Sequence, residues 1–325
     1  MDLNISLMIR FATNIGASDI HIQAGSVPLF RINNELRSVD KFSEILNNEI
    51  VMKFTKENTL DYNSKDSFDG IMTLDGIRCR INCYNTINGY AVAIRIYNHQ
   101  LKSMSDLRIP KSVQKLTREK SGLILFCGPT GAGKTTSIAS FLNEINNICA
   151  KHIISLEDPV EIVLNQINCL ISQREIGLNC LSYFDGLKSA LREDPDIIFI
   201  GELRDTDTVQ TALTAAETGH LVISTLHSGN AVEAIERITQ FFPVTAASQV
   251  FYQIANSFRG IVCQQLISKK DNTGRIPAFE VLLNNSATRN IIRQGQTHKL
   301  KEFMSQNGMQ RMEDSIQGLK DLNLI

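Results

Sequence analysis

The sequence predicts an α/β protein: a mostly parallel sheet with helices on both faces, preceded by a smaller α+β domain. Three observations predict it. An apolar run, Gly122 to Cys127, leads directly into the Gly-rich stretch Gly128-Pro129-Thr130-Gly131-Ala132-Gly133-Lys134-Thr135. Beyond it, apolar strand-like runs at 152–156, 197–200 and 221–224 alternate with helical stretches at 183–192 and 206–217. That alternation is the rhythm of a parallel sheet. Before it, short alternating segments and a hairpin signal read as a separate small domain.

Within the first hundred residues, 18–23 alternates and reads as a strand. Residues 29–32 form a second, ended by the polar pair Asn33-Asn34. Residues 41–56 read as a helix, and 77–84 and 90–97 as two strands around Asn88-Gly89, a turn signal. The expected organisation is an N-terminal domain over 1–100, a linker over 101–120, a core over 121–270 and a mainly helical segment over 271–325. After Lys134, apolar residues recur at Ile138, Phe141, Leu142, Ile145 and Ile148, which is helical spacing.

The chain has 325 residues, 43% of them hydrophobic and 21% charged, enough for two globular cores. Its net charge of −1 gives no global electrostatic case for nucleic acid or an anionic membrane. The N-terminus lacks the basic start and apolar core of a signal peptide. No apolar run nears the roughly 18 residues of a membrane span. A cytoplasmic protein is expected. The seven cysteines are scattered without a C-x-x-C pair and read as buried thiols. His220 and His227 stand too far from other ligand types to argue for a metal.

Gly128 to Thr135 satisfies G-x-x-x-x-G-K-[ST] in full. Each part has a physical task. Glycines let the backbone curl so that successive N–H groups face phosphates. Lys134 places a cation on the β- and γ-phosphates, and the Thr135 hydroxyl suits Mg²⁺. Thr136 follows in the helix that begins there, whose positive end adds to the site. ATP and Mg²⁺ are the expected ligands.

Hydrolysis needs carboxylates for the metal and for water. Glu202 closes the apolar strand 197–200, at the carboxyl end that faces the crevice of such a sheet. It is the candidate Mg²⁺- or water-associated acid. Glu157, Asp158 and Glu161 sit at the end of another strand; which of them points inward stays open. His227 ends a further strand, where it either senses the γ-phosphate or is structural.

In the hairpin, Ile77, Cys79, Ile81 and Cys83 share one face and Arg78, Arg80 and Asn82 the other. Val92, Ile94 and Ile96 would face the same core, leaving Arg95 on Arg80's side. Like charges so placed repel. A phosphate would relieve that cost, so both are candidate arginine fingers; the alternative is a solvated sheet face.

These segments together resemble the secretion-ATPase superfamily of type II secretion and type IV pili. The matching stretches are GPTGAGKT, the acidic box EDPVE at 157–161, ALREDPDIIFIGELRD at 190–205 and TAAETGHLVISTLHSGNA at 214–231. Ala17-Ser18-Asp19-Ile20-His21-Ile22 extends the likeness towards the start. Within the superfamily the chain looks most like the pilus-retraction branch. Its N-terminal part is short, a tetracysteine zinc motif is lacking, and 287–293 is similar to the retraction segment AIRNLIRE. Thr288 and Gln294 depart from that segment, and Ser121 from the residue common before the loop.

The resemblance implies a PAS-like N-terminal domain and a RecA-like core, assembled as a homo-hexamer. It implies a ring docked at the inner face of the inner membrane on a pilus platform protein; from the near-neutral charge, no direct nucleic-acid partner is expected. It gives Lys134 and Thr135 the Walker A role and Glu202 the Walker B role. Glu161, rather than Glu157, would activate water. His220 and His227 fall in its histidine box, and Arg80 and Arg95 where the N-terminal domain reaches the γ-phosphate. Rival readings are a motor for extension, secretion or DNA uptake, a nucleotide-binding ring adaptor with little turnover, and a nucleic-acid translocase.

Overall fold

The computed structural model describes residues 5–32, 35–49, 51, 52, 67–74, 76–97, 101–271, 273–304 and 308–325. The chain divides into two compact units, 1–100 and 101–325.

The first unit is a six-stranded antiparallel sheet, in the order β3-β2-β1-β6-β5-β4. Its strands are β1 (Asp19–Gln23), β2 (Leu29–Ile32), β3 (Glu35–Ser38), β4 (Phe68–Leu74), β5 (Ile77–Thr86) and β6 (Gly89–Tyr97). The helix Ile5–Asn14 buries Ile5, Met8, Ile9 and Ala12, which recur every three or four residues and so share one stripe. That stripe packs with Ile20, Ile22, Cys79, Ile81, Val92 and Ile94 in one core. The hairpin is as expected in its faces, but its loop is Ile87-Asn88, since Thr86 pairs with Gly89. The expected helix over 41–56 is not continuous. Residues 40–42 make a single 3₁₀ turn, 43–47 carry no helix, residues 48, 49, 51 and 52 are helical, and 50 and 53–56 lie outside the described residues.

The second unit is built on a seven-stranded sheet, order β13-β12-β7-β11-β10-β8-β9. Its strands are β7 (Gly122–Cys127), β8 (His152–Glu157), β9 (Leu170–Glu175), β10 (Ile197–Ile200), β11 (Leu221–Leu226), β12 (Phe258–Ser268) and β13 (Arg275–Leu283). Only the β12–β13 pair is antiparallel. β7, β10 and β11 are buried along their whole length, as strands covered on both faces must be. One apolar layer lies against the helix Lys134–Ile148, the other against Tyr183–Ala190, Thr206–Glu217, Ala231–Gln240 and Ala247–Ser257.

Two expectations about the edges of this unit change. Residues 101–120 are no free linker: Met104, Ile109, Val113 and Leu116 are buried in the same core as the helix Lys134–Ile148. The segment after 270 is not helical at its start, because β13 completes the sheet before the helix Ser286–Arg293.

Candidate functional site

The carboxyl ends of four parallel strands lie level. Cys127 pairs with Leu226, Ile200 with Ser224, and Ile200 also with Leu156. Gly128, Glu157, Glu202 and His227 therefore leave the sheet along one edge, the edge where ligands of such sheets sit.

The loop from Gly128 turns into the helix at Gly133, which caps it in a left-handed conformation at φ +84°. Gly128 and Gly131 also have positive φ, which a side chain would strain. Lys134 folds back over the loop: its Nζ donates to the carbonyls of Gly128 at 2.7 Å and Pro129 at 3.1 Å. Burial lowers the pKa of this ammonium, with Cys127 and Glu202 pulling the other way. An ammonium held by loop carbonyls is poised for an anion.

Glu202 is oriented from two sides. Arg204 Nε donates to its Oε2 at 2.7 Å, and His227 Nε2 lies 3.4 Å from its Oε1. Arg204 also reaches Asp158 at 3.4 Å and stacks 5.8 Å from the Tyr183 ring. Burial, then the Lys134 charge, hold the His227 imidazole below the ordinary histidine range, against the pull of Glu202. The turn before Glu202 is tight: a Cβ on Gly201 would lie 2.8 Å from the Tyr183 hydroxyl and 3.1 Å from the Leu156 carbonyl.

The acidic box splits. Glu157 is 7% exposed and accepts from Ser155 Oγ at 2.6 Å and Gln173 Nε2 at 3.1 Å. It lines a narrow cleft together with Thr135 and Phe199. Asp158 is exposed and Glu161 half-buried. His220 lies at the opposite end of β11 from His227, about 20 Å of strand away. Its Nδ1 is 3.2 Å from the Ala215 carbonyl, at the end of the helix Thr206–Glu217. That contact gives it a structural task rather than a place on the ligand edge.

Arg80 and Arg95 belong to the first unit, where each meets a carboxylate. Arg80 Nε donates to Asp69 at 2.9 Å and Arg95 Nε to Asp19 at 3.0 Å. The Asp69 hydrogen bond raises the Arg80 pKa still further.

Sequence reading missed a cavity of about 410 Å³ on the other side of the loop. Lys102, Arg108, Gly133, Thr136, Gln264 and Arg275 are among its lining residues. Arg108 holds φ +53°, an uncommon conformation for a non-glycine residue. The positive charges at 102 and 108 were legible, but their segment read as a linker.

Oxygen ligands suit Mg²⁺, which keeps several waters and takes few groups from the protein. The Thr135 hydroxyl at the head of the helix and the Glu202 carboxylate fit that requirement. Among the described residues no cluster of three or more His, Cys, Asp or Glu could form a metal cage. Among the same residues no helix is long and apolar enough to cross a membrane.

Known proteins are similar to this one over nearly all of the chain. The type IV pilus retraction ATPase PilT of Pseudomonas aeruginosa is 34% identical, covering 99% of this chain and 96% of its own. A twitching motility protein of Neisseria gonorrhoeae is 35% identical over 92% of this chain and 82% of its own. A crystal structure of the pilus retraction motor PilT with bound ADP superposes with a TM-score of 0.91 at 37% identity, covering 100% of this chain and 95% of that one. The Legionella pneumophila ATPase DotB shares the fold, with a TM-score of 0.86 at 23% identity over 99% of this chain and 92% of that one. The model of the family described as Type II/IV secretion system protein matches residues 3–322, and the chain belongs to that family.

Proposed function

We propose that this chain is an ATP-hydrolysing motor of type IV pilus dynamics, working in retraction as a ring of six at the inner face of the inner membrane. The observation that carries the reading is the pairing of a complete phosphate loop with Glu202 on the same sheet edge, where the Glu202 carboxylate acts on the Lys134 charge. The relation to PilT over 99% of the chain supports the choice of machine.

In this reading the loop N–H groups and Lys134 bind the β- and γ-phosphates, and the cavity beside Thr136 receives the adenosine. Thr135 and, through water, Glu202 would hold Mg²⁺, which neutralises charge on the phosphates. Arg204 and His227 keep the Glu202 carboxylate in place. Glu161 takes the proton of the attacking water, and Glu157 holds the wall beside it. Arg80 and Arg95 exchange their aspartates for the γ-phosphate of a neighbouring subunit. Catalysis is then positioning and charge stabilisation.

Lys134→Ala is expected to remove phosphate release from ATP in purified protein, and wild-type turnover in that variant would sink the assignment. In cells, deletion is expected to leave surface pili in place and abolish twitching; bald cells would point to extension instead.

A further inference from the structure

Gln264 lies on β12 one residue past Cys263, the partner of Cys127 at the end of β7. That places it beside Gly128, where the loop leaves the sheet. The side chain is 3% exposed, and both ends of its carboxamide are used. Nε2 donates to the Ala132 carbonyl at 2.7 Å, and Oε1 accepts from Ser137 Oγ at 2.7 Å. One partner is in the phosphate loop; the other is in the first turn of the helix that follows it.

The backbone is shaped around this side chain. A Cβ on Gly133 would lie 2.9 Å from Gln264 Nε2, and one on Gly128 would lie 2.4 Å from the Gln264 carbonyl oxygen. The loop glycines are thus needed for the approach of β12 as well as for the curl of the backbone. A trans peptide is planar, and its C=O and N–H point in opposite directions. Holding the Ala132 carbonyl towards β12 turns the N–H of Gly133 away from β12. We propose that Gln264 is a positioning residue of the nucleotide site: its carboxamide sets the Ala132–Gly133 peptide so that the Gly133 N–H faces the β-phosphate before nucleotide arrives. The proposal rests on reading the loop as an ATP site.

Glutamine suits the task because one buried side chain must donate and accept at once. Methionine fills its volume and does neither. Glutamate keeps the acceptor for Ser137 and loses the donor to Ala132.

The test is competition of ADP and AMP against a fluorescent nucleotide on full-length Gln264→Met, Gln264→Glu and unaltered protein. ADP carries the β-phosphate and AMP does not. Loss of the oriented N–H is expected to weaken ADP about tenfold or more and AMP by less than about threefold. Removing binding shared by ground and transition states raises KM for ATP and leaves kcat within about threefold. A packing role alone would lower the melting temperature and weaken both nucleotides alike. Equal loss for ADP and AMP, or unchanged ADP affinity in Gln264→Met, overturns the proposal. Should Gln264→Met not fold, Gln264→Glu is read in the same way. Unaltered protein that binds no ADP would overturn the nucleotide reading itself; unaltered protein and variants that bind it equally would overturn only the role of Gln264.

Discussion

Arg80 and Arg95 stand directly opposite each other across the β5–β6 ladder, and each is answered by an aspartate of its own sheet. Asp19 is the register partner of Arg95 on β1, and Asp69 lies two residues along β4 from Arg80's partner Ile71. Sequence reasoning expected the repulsion between these arginines to need a phosphate. The two carboxylates supply that relief, so a phosphate would compete with an aspartate for each arginine. If the arginines serve catalysis, Arg80→Ala and Arg95→Ala lower kcat by about a hundredfold or more while ADP affinity holds. Asp69→Asn leaves kcat within a few-fold, because an exposed pair contributes under about 1 kcal/mol. Steady-state ATPase assays check this, and unchanged turnover in Arg80→Ala would reduce the pair to a surface ion network.

His21 faces the same charged row and gives a pH dependence. Burial lowers its pKa, Asp19 opposes that, and Arg31 and Arg95 add to it. Its buried Nε2 has no hydrogen-bond partner. The folded pKa is below the unfolded value near 6.5, so the unfolded chain binds the proton first. The neutral histidine's contribution is full above about pH 6.5 and falls as pH drops towards the folded pKa. Melting curves from pH 7.5 to 5 should show this slope in the unaltered protein and a shallower one in His21→Gln. Parallel curves would remove His21 as its source.

The segment before Glu202 tests how finely the acid is placed. A methyl on Gly201 would meet the Tyr183 hydroxyl and the Leu156 carbonyl. Gly201→Ala is expected to cost about 1–3 kcal/mol of stability and to lower kcat by more than about tenfold as Glu202 shifts. Adding Tyr183→Phe removes the closest contact and should restore part of both. A double variant no better than Gly201→Ala would place the strain at Leu156 instead.

Much of the ligand edge was legible because its signals are local. The glycine pattern, Lys134 and the strand-end position of Glu202 all lie within short windows. What escaped depends on partners distant in sequence. Gln264 meets Ala132 and Ser137 across more than a hundred residues, and no periodicity announces it. Asp19 reaches Arg95 from a strand 76 residues away. β13 was missed because it follows a boundary set by composition rather than by pairing. Residues 101–120 read as a linker because their four buried apolar side chains are spread among lysines, arginines and serines.

Glu157 and Glu161 lie four residues apart and separate by environment. Glu157 is buried and already accepts from Ser155 and Gln173. A carboxylate so occupied is a poor proton acceptor for water, since taking a proton would cost it those bonds. Glu161 is half-buried, on the irregular stretch after β8. If Glu161 is the base, Glu161→Gln lowers kcat by about 10²–10⁴ with ADP affinity unchanged. Glu157→Gln keeps hydrogen-bonding groups at the same place, so its main cost should be stability, with a smaller drop in kcat. Single-turnover hydrolysis of both variants, with melting temperatures beside them, decides between the two. A larger kcat loss in Glu157→Gln at an unchanged melting temperature would reassign the base to Glu157, with Ser155 and Gln173 as the groups that orient it.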